Sequence, residues 1–328
     1  MNPLIFEPYF RPQVWGGRRL ESFLGRPLPG DMPIGEAWML SGQSLHVSRV
    51  AEGPWKGMLL TELWQTRVRD LVGPAATAAL LFPLLFKYLD CQQLLSVQVH
   101  PSDRIAERLR PGEPGKTEAW VVLDAEPGAR VYAGLQPGTT REELERRLDA
   151  GTVAECLHSF APRKGDCLFL PAGLVHAVGG GVLIAEVQQS SDATFRLFDW
   201  NRLGPDGKPR ALHREEALQS IDWAAGAARP VAGSPIGGLP EGNLGERLVD
   251  CPYFVMDRFR LAGAMDLPYR DRMSIWMVLE GPVELSSTTG YCRRCARGET
   301  TLVPATAGEL RWTALEAPAV LLAIIASP

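Results

Sequence analysis

Histidine is scarce in this chain: five in 328 residues, at His46, His100, His158, His176 and His213. A site that needs imidazole must be built from these few. Long apolar runs are also missing. The longest, Ala75 to Phe86, is broken by Thr77 and Pro83 and falls short of the ~18 residues of a membrane span. Neither sign of charge dominates: 34 Lys and Arg stand against 38 Asp and Glu, a net charge of −4. That balance argues against a nucleic-acid or anionic-membrane surface, so a bound phosphate would be met by local Lys and Arg. The first residues, Met1-Asn-Pro-Leu-Ile-Phe-Glu-Pro8, lack the charged start and apolar core of a signal peptide, which makes the cytoplasm the expected compartment. Six scattered cysteines make no disulfide framework. Cys292 and Cys295 form a single CxxC with no second ligand pair for a structural zinc, and read as a reduced turn or hairpin.

What the chain does have is punctuation. Its 27 prolines and 33 glycines, spread throughout, predict many short strands and turns, and its length predicts two domains. Strands are expected at Leu84–Asp90, Leu94–His100, Glu118–Leu123, Ala129–Tyr132, from Asp166, at Val182–Gln188 and at Thr194–Phe198. Helices are expected at Thr61–Val72, Ala75–Leu81 and Thr140–Ala150, the last capped by Thr140 and stopped by Gly151. A Gly/Pro/Ala-rich stretch, Ala225–Gly245, is the best linker candidate. Beyond it the chain reads as strands at Tyr253–Leu261, Met273–Glu280, Gly281–Ser286, Thr300–Val303 and Val320–Ala326. A domain over residues 1–235, with helical insertions, would then precede a mostly β domain over residues 246–328.

One stretch organises the rest: Gly165-Asp-Cys-Leu-Phe-Leu-Pro171-Ala-Gly173-Leu-Val-His176. A short apolar strand meets a Pro/Gly turn that aims a histidine into whatever the flanking strands enclose. An ordinary hairpin with a satisfied histidine is the plain alternative. The spacing G-x5-P-x-G-x2-H resembles the second sequence motif of the cupins, antiparallel jelly-roll barrels that hold a metal inside. The family often has Asn four residues after the histidine, where this chain has Gly180. The resemblance implies a mostly β fold, two cupin-type jelly-roll barrels with a few short helices. Gly298-Glu-Thr-Thr-Leu-Val-Pro304 echoes the start of the motif. There Thr306 stands in place of the turn glycine and Glu309 in place of the histidine, so the second barrel is expected to hold no metal and to pack against or close the first.

His100 and His176 are the two histidines on strands that should point inward. Gln98 shares the face of His100, and Glu118 opens the next strand after a glycine-containing loop. Gln98, His100, Glu118 and His176 make a mixed O/N set that suits Zn²⁺ with one open position. Fe²⁺ or Mn²⁺ would accept the same ligands. A pairing of Glu118 with Lys116 or Lys87 as a solvated ion pair is the simpler reading of that carboxylate.

Several segments match a family in its own order. Leu84-Leu-Phe-Lys87-Tyr-Leu-Asp90, Leu95-Ser-Val-Gln98-Val-His100-Pro-Ser-Asp103, Gly115-Lys116-Thr-Glu118-Ala-Trp120 and Gln188-Gln-Ser-Ser-Asp192-Ala-Thr-Phe-Arg196-Leu-Phe-Asp199-Trp200 resemble the type I mannose-6-phosphate isomerases, in their short bacterial form. Trp15-Gly-Gly and Gly35-Glu-Ala-Trp38 belong to the same pattern, which covers about residues 4 to 215. Past residue 245 it rests on Tyr253-Phe254 and the Gly298–Pro304 echo. The resemblance implies that Gln98, His100, Glu118 and His176 ligate one zinc per chain, that Arg196 is the family's essential arginine, and that Lys87, Lys116 and Asp192 surround the substrate. Val121 and Phe195 stand where the family often has Tyr, which bears on substrate preference.

The chemistry implied is interconversion of mannose 6-phosphate and fructose 6-phosphate through a metal-stabilised enediolate. That reaction needs a base, a cation beside the developing oxyanion, and a proton donor. Lys116, on the face of Glu118, could donate to the oxyanion; Arg196 offers a fork for phosphate or sugar oxygens. Asp192 is a candidate proton shuttle, with His100 or a metal-bound water as alternatives. Lys87 and Ser96 are candidates for the phosphate end. The plainer alternatives are a salt bridge from Arg196 to Asp199 or Glu186, and Lys87 as an edge-strand charge. The expected partner is a sugar phosphate, and the expected state a monomer or small homo-oligomer. Two other functions fit parts of the pattern: a metal-dependent cupin oxygenase and a non-catalytic sugar-phosphate-binding relative.

Overall fold

The central strands of the first half alternate cleanly, and both faces of the alternation are buried. In Glu118–Ala125 one face carries Glu118, Trp120 and Val122, the other Ala119, Val121 and Leu123, and all six are buried. Leu84–Cys91 and Val182–Gln189 are buried at every position. Strands buried on both sides must lie between two layers. The computed structural model, which describes residues 1–76, 81–203 and 207–327, shows which layers these are.

The first half contributes two antiparallel sheets. One runs in the order Cys167–Leu170, Glu118–Ala125, Val182–Gln189, Leu84–Cys91, Ile34–Gln43, Tyr9–Gly17, with His46–Val47 paired to Ile34–Gln43. The other runs Phe195–Phe198, Val97–Val99, His176–Gly179, Arg130–Leu135, Leu157–Phe160. Trp120, Val122, Leu168, Leu170, Val178 and Ile184 fill one apolar cluster between them. The second half likewise has two antiparallel sheets. Its larger one runs Leu4–Ile5, Thr300–Val303, Ser274–Glu280, Ala319–Ala326, Phe254–Leu261, Leu244–Asp250, Ser234–Pro235, so it recruits the two-residue strand at the chain's start. The fold is mostly β, cupin-like, with six short α-helices among the described residues.

The largest core joins the halves. Phe86, Tyr88, Val121 and Val187, from the outer face of the first half's sheet, share one cluster with Met256, Ile275, Met277, Leu322 and Ile324 of the second. Each such side chain contributes on the order of 1.5–3 kcal/mol when fully buried.

The helix expected over Thr61–Val72 is two short helices, Leu60–Thr66 and Val68–Val72, and Arg141–Asp149 is capped by Thr140 as expected. The helix expected over Ala75–Leu81 lies largely outside the described residues. Three helices had no clear sequence signal: Arg19–Leu24, Asp103–Leu109 and Arg214–Ser220. Each buries only one to three residues, too few to set a helical period. The strand expected from Leu94 begins at Val97.

Candidate active site

Cross-strand register puts the predicted residues side by side. His176 and Arg196 both pair with Gln98, from the strands on either side of it. On the facing sheet Glu118 pairs with Gln188, and Lys87 lies between Trp38 and Glu186. The turn before His176 depends on Gly173, at φ +92°, where a Cβ would come within 2.8 Å of Asp222 Cβ.

His100, Glu118 and His176 converge, with ligand-type atoms within 4.8 Å of one another, the one such group of metal-ligating residue types among the described residues. Glu118 Oε2 lies 3.4 Å from His100 Nε2 and Oε1 3.3 Å from His176 Nε2. All three residues are buried, and Glu118 is fully so. Yet His100 Nε2 and both Glu118 oxygens have no hydrogen-bond partner. Buried carboxylate oxygens without partners are costly unless a cation faces them. The far nitrogen of each imidazole is engaged: His100 Nδ1 lies 3.1 Å from the Ala193 carbonyl and His176 Nδ1 2.9 Å from the Leu174 carbonyl. An Nδ1–H donated to each carbonyl leaves both Nε2 lone pairs aimed at the cluster, the tautomer a metal ligand needs. Gln98 reaches the same point, its amide nitrogen 3.2 Å from His176 Nε2; with the carboxamide turned over, its oxygen would face the cluster. This donor set fits a divalent ion.

The electrostatics agree. Burial pushes His100 down to about 3, with Lys116 reinforcing the shift, and burial lowers His176 too. Both are neutral, as ligands must be. Burial alone would raise Glu118, but the Lys116 ammonium leads the influences that outweigh it and hold the carboxyl well below the usual range. Lys116 Nζ is 3.2 Å from Glu118 Oε2. Glu118 therefore does pair with Lys116, one of the two lysines its sequence neighbourhood offered, but as a buried pair and not a solvated one.

Above the cluster opens a cavity of about 280 Å³. Lys87, Ser96, Gln98, Lys116, Asp192 and Arg196 all line it, together with Arg11, Arg210, Glu36, Glu186, Trp15 and Trp120. Five cations against three carboxylates give this wall a positive balance in an acidic protein, suited to a phosphorylated guest. Lys87 is not an edge-strand charge. It donates to Gln188 Oε1 at 2.7 Å and stands 3.3 Å from Glu186 Oε1 and 3.7 Å from Glu36 Oε2. Arg196 makes no bridge to Asp199, whose carboxylate is taken by Arg202 and Arg210; its Nη1 donates to the Ala211 carbonyl and its Nε is buried without a partner. Asp192 sits at the rim, its side chain 49% exposed and 3.8 Å from Arg11.

Sequence reasoning passed over Glu36 and Glu186 as site residues. Glu36 is held below its ordinary range: burial opposes this, but Lys87, Arg11 and the Trp38 indole N–H at 2.6 Å prevail. Glu186 goes the other way, raised by burial in spite of Lys87. Its Oε2 accepts from Trp120 Nε1 at 2.9 Å while Oε1 has no hydrogen-bond partner. The available signal was a lone carboxylate in the otherwise apolar Val182-Leu-Ile-Ala-Glu-Val187.

Fold and site together define a cupin-like β protein with a buried His/Glu/His centre beneath a basic cavity. Comparison with known proteins is specific. Residues 4–118 match the family described as phosphomannose isomerase type I, catalytic domain. Mannose-6-phosphate isomerase ManA of Bacillus subtilis (strain 168) is 36% identical over 310 residues, 94% of this chain and 95% of its own. A mannose-6-phosphate isomerase of Streptococcus mutans serotype c is 35% identical over 280 residues, 85% of each. The crystal structure of the mannose 6-phosphate isomerase from Bacillus subtilis superposes with a TM-score of 0.90 at 29% identity, covering 99% of both chains. The chain belongs to the type I phosphomannose isomerase family.

Proposed function

We propose that this protein is an aldose–ketose isomerase that interconverts mannose 6-phosphate and fructose 6-phosphate with one Zn²⁺ held by Gln98, His100, Glu118 and His176. The observation that carries the reading is the buried carboxylate of Glu118, neither oxygen in a hydrogen bond and only Oε2 beside the Lys116 ammonium, facing two imidazoles whose other nitrogens are engaged by backbone carbonyls. A bound divalent ion supplies positive charge that polarises the substrate's carbonyl and hydroxyl oxygens. The chain's own residues do the rest. Lys116 Nζ, beside Glu118, donates to the oxygen on which negative charge develops. Glu186 Oε1, buried, without a hydrogen bond, beside Lys87 and raised in proton affinity, is the carboxyl best suited to carry the proton between C1 and C2. Asp192, at the rim with Arg11, serves better in orienting sugar hydroxyls than in moving that proton. Lys87, Ser96 and Arg196 bind the sugar phosphate from the cavity walls, Arg196 with its free Nε.

Residues 1–235 carry the catalytic centre and residues 246–328 brace it. No described helix is long and apolar enough to cross a membrane, and all six cysteines are free, which suits the reducing cytoplasm. The test is turnover of mannose 6-phosphate by chelator-stripped protein given one equivalent of zinc. Activity should return with the metal and vanish with chelator, and Arg196→Ala should lower kcat/KM at least ~100-fold. Zinc-loaded protein that binds the sugar phosphate without isomerising it would make this a binding relative.

A further inference from the structure

Lys116 and Glu118 reach the site from a segment that belongs to no strand until Glu118, so its backbone groups need partners from outside a ladder. Thr117, the residue between them, is gripped on both sides by Gln189. The Gln189 backbone N–H donates to the Thr117 carbonyl at 3.1 Å, and its side-chain Oε1 accepts from the Thr117 N–H at 2.8 Å. Gln189 Nε2 donates to Asp103 Oδ1 at 3.1 Å, and the Gly115 N–H donates to the same oxygen at 2.8 Å. Gly115 has no room for a side chain there: a Cβ would lie 2.4 Å from Asp103 N. The other oxygen of Asp103 accepts from the Tyr253 hydroxyl at 2.5 Å, and Tyr253 belongs to the second half of the chain. Thr117 Oγ1 accepts from the Ala172 N–H at 3.2 Å, in the turn that delivers His176. Gln189 is buried, whereas Asp103 is exposed at the start of a short helix.

We propose that Gln189 and Asp103 are positioning residues for the isomerisation: they hold the peptide between Lys116 and Glu118 so that the Lys116 ammonium meets the reacting oxygen, and Tyr253 is the contact through which the second half steadies them. The inference rests on the role given to Lys116 above. Its physical basis is leverage. Both charges flank the one residue, Thr117, whose N–H and carbonyl Gln189 grips, and a displacement of about 1 Å at a reacting centre costs on the order of 10²-fold in rate.

The test uses full-length, zinc-loaded protein. Gln189→Ala should lower kcat about 30-fold and Asp103→Ala about 10-fold, each with KM within about threefold of wild type and one metal bound per chain. Asp103→Asn keeps one acceptor oxygen for Gln189 Nε2 and the Gly115 N–H, puts an amide donor where Oδ2 meets the Tyr253 hydroxyl oxygen, and should recover to within about threefold. Amide exchange at Gly115 and Thr117 should quicken at least about tenfold in both alanine variants while the Leu84–Cys91 strand stays protected. In a Lys116→Met background, Gln189→Ala should lower kcat no further, because the group it positions is gone.

Unchanged kcat in the folded alanine variants would overturn the proposal, as would an undiminished effect of Gln189→Ala in the Lys116→Met background. If Gln189→Ala does not fold, the exposed Asp103→Ala variant decides alone. Full turnover by Lys116→Met would remove the underlying reading instead. Loss of turnover in Lys116→Met beside normal kcat in the Gln189 and Asp103 variants would leave that reading standing and remove only the brace.

Discussion

Replacing Lys87 by methionine tests whether the cavity wall is a balanced electrostatic unit. Lys87 Nζ stands 3.3 Å from Glu186 and 3.7 Å from Glu36, contacts worth about 4–5 kcal/mol each before desolvation, at an effective dielectric near 20. Desolvation of the ammonium offsets much of that, so the cost of removing the cation is about 3–5 kcal/mol, most of it the penalty of a stranded carboxylate. The stranded group is Glu186, because Glu36 keeps Arg11, Gln13 and Trp38. Burial already raises Glu186, and Lys87 is the largest influence holding it down. In Lys87→Met the carboxyl therefore binds a proton more readily folded than unfolded. Such a group favours the folded state at low pH, and that contribution is lost as pH rises through the folded value. Urea unfolding should show the variant about 3–5 kcal/mol below wild type at pH 7.5 and distinctly closer at pH 5.5. Lys87→Met/Glu186→Gln should recover most of the loss. A deficit under about 1 kcal/mol at pH 7.5, or a double variant as unstable as the single, would refute the reasoning.

Glu118→Gln removes the carboxylate at the centre of the cluster, and zinc affinity measured against a chelating dye should fall at least ~100-fold, with turnover lost in parallel. For metal-free protein, His100 is pushed down to about 3 when folded against an ordinary 6.5. The unfolded chain therefore takes the proton first as pH falls. The stability that His100 contributes is whole above 6.5 and declines toward 3, about 2 kcal/mol lower by pH 5. Urea unfolding of chelator-stripped wild type and His100→Gln at pH 7.5 and 5 checks this, since the variant should lack that share of the acid sensitivity.

Much of the site was legible because its chemistry is local. The Pro171–Gly173 turn, the alternation through Gln98 and His100, and the run from Lys116 to Glu118 each declare a side-chain direction within a few residues. The plainer readings of Lys87 and Arg196 as an edge charge and an Asp199 partner failed on neighbours that no local pattern names. Lys87 turned out to be interior because Val182–Gln189 and Ile34–Gln43 flank its strand, far off in sequence. Glu186 and Glu36 were missed for the same reason, since each becomes a site residue only through register with Lys87 or its neighbours. The short helices at Arg19 and Asp103 bury too little to write a period, and the strand Leu4–Ile5 is too brief to write any pattern.

The apolar layer between the halves also bears on how this protein can be divided. Cutting the chain at the glycine- and proline-rich connection would bare Phe86, Tyr88, Val121 and Val187 as a broad greasy wall. The severed front portion would also have to part with Leu4–Ile5's ladder partners. A shortened enzyme prepared that way should clump rather than dissolve, and the second half earns its place as the wall's permanent cover.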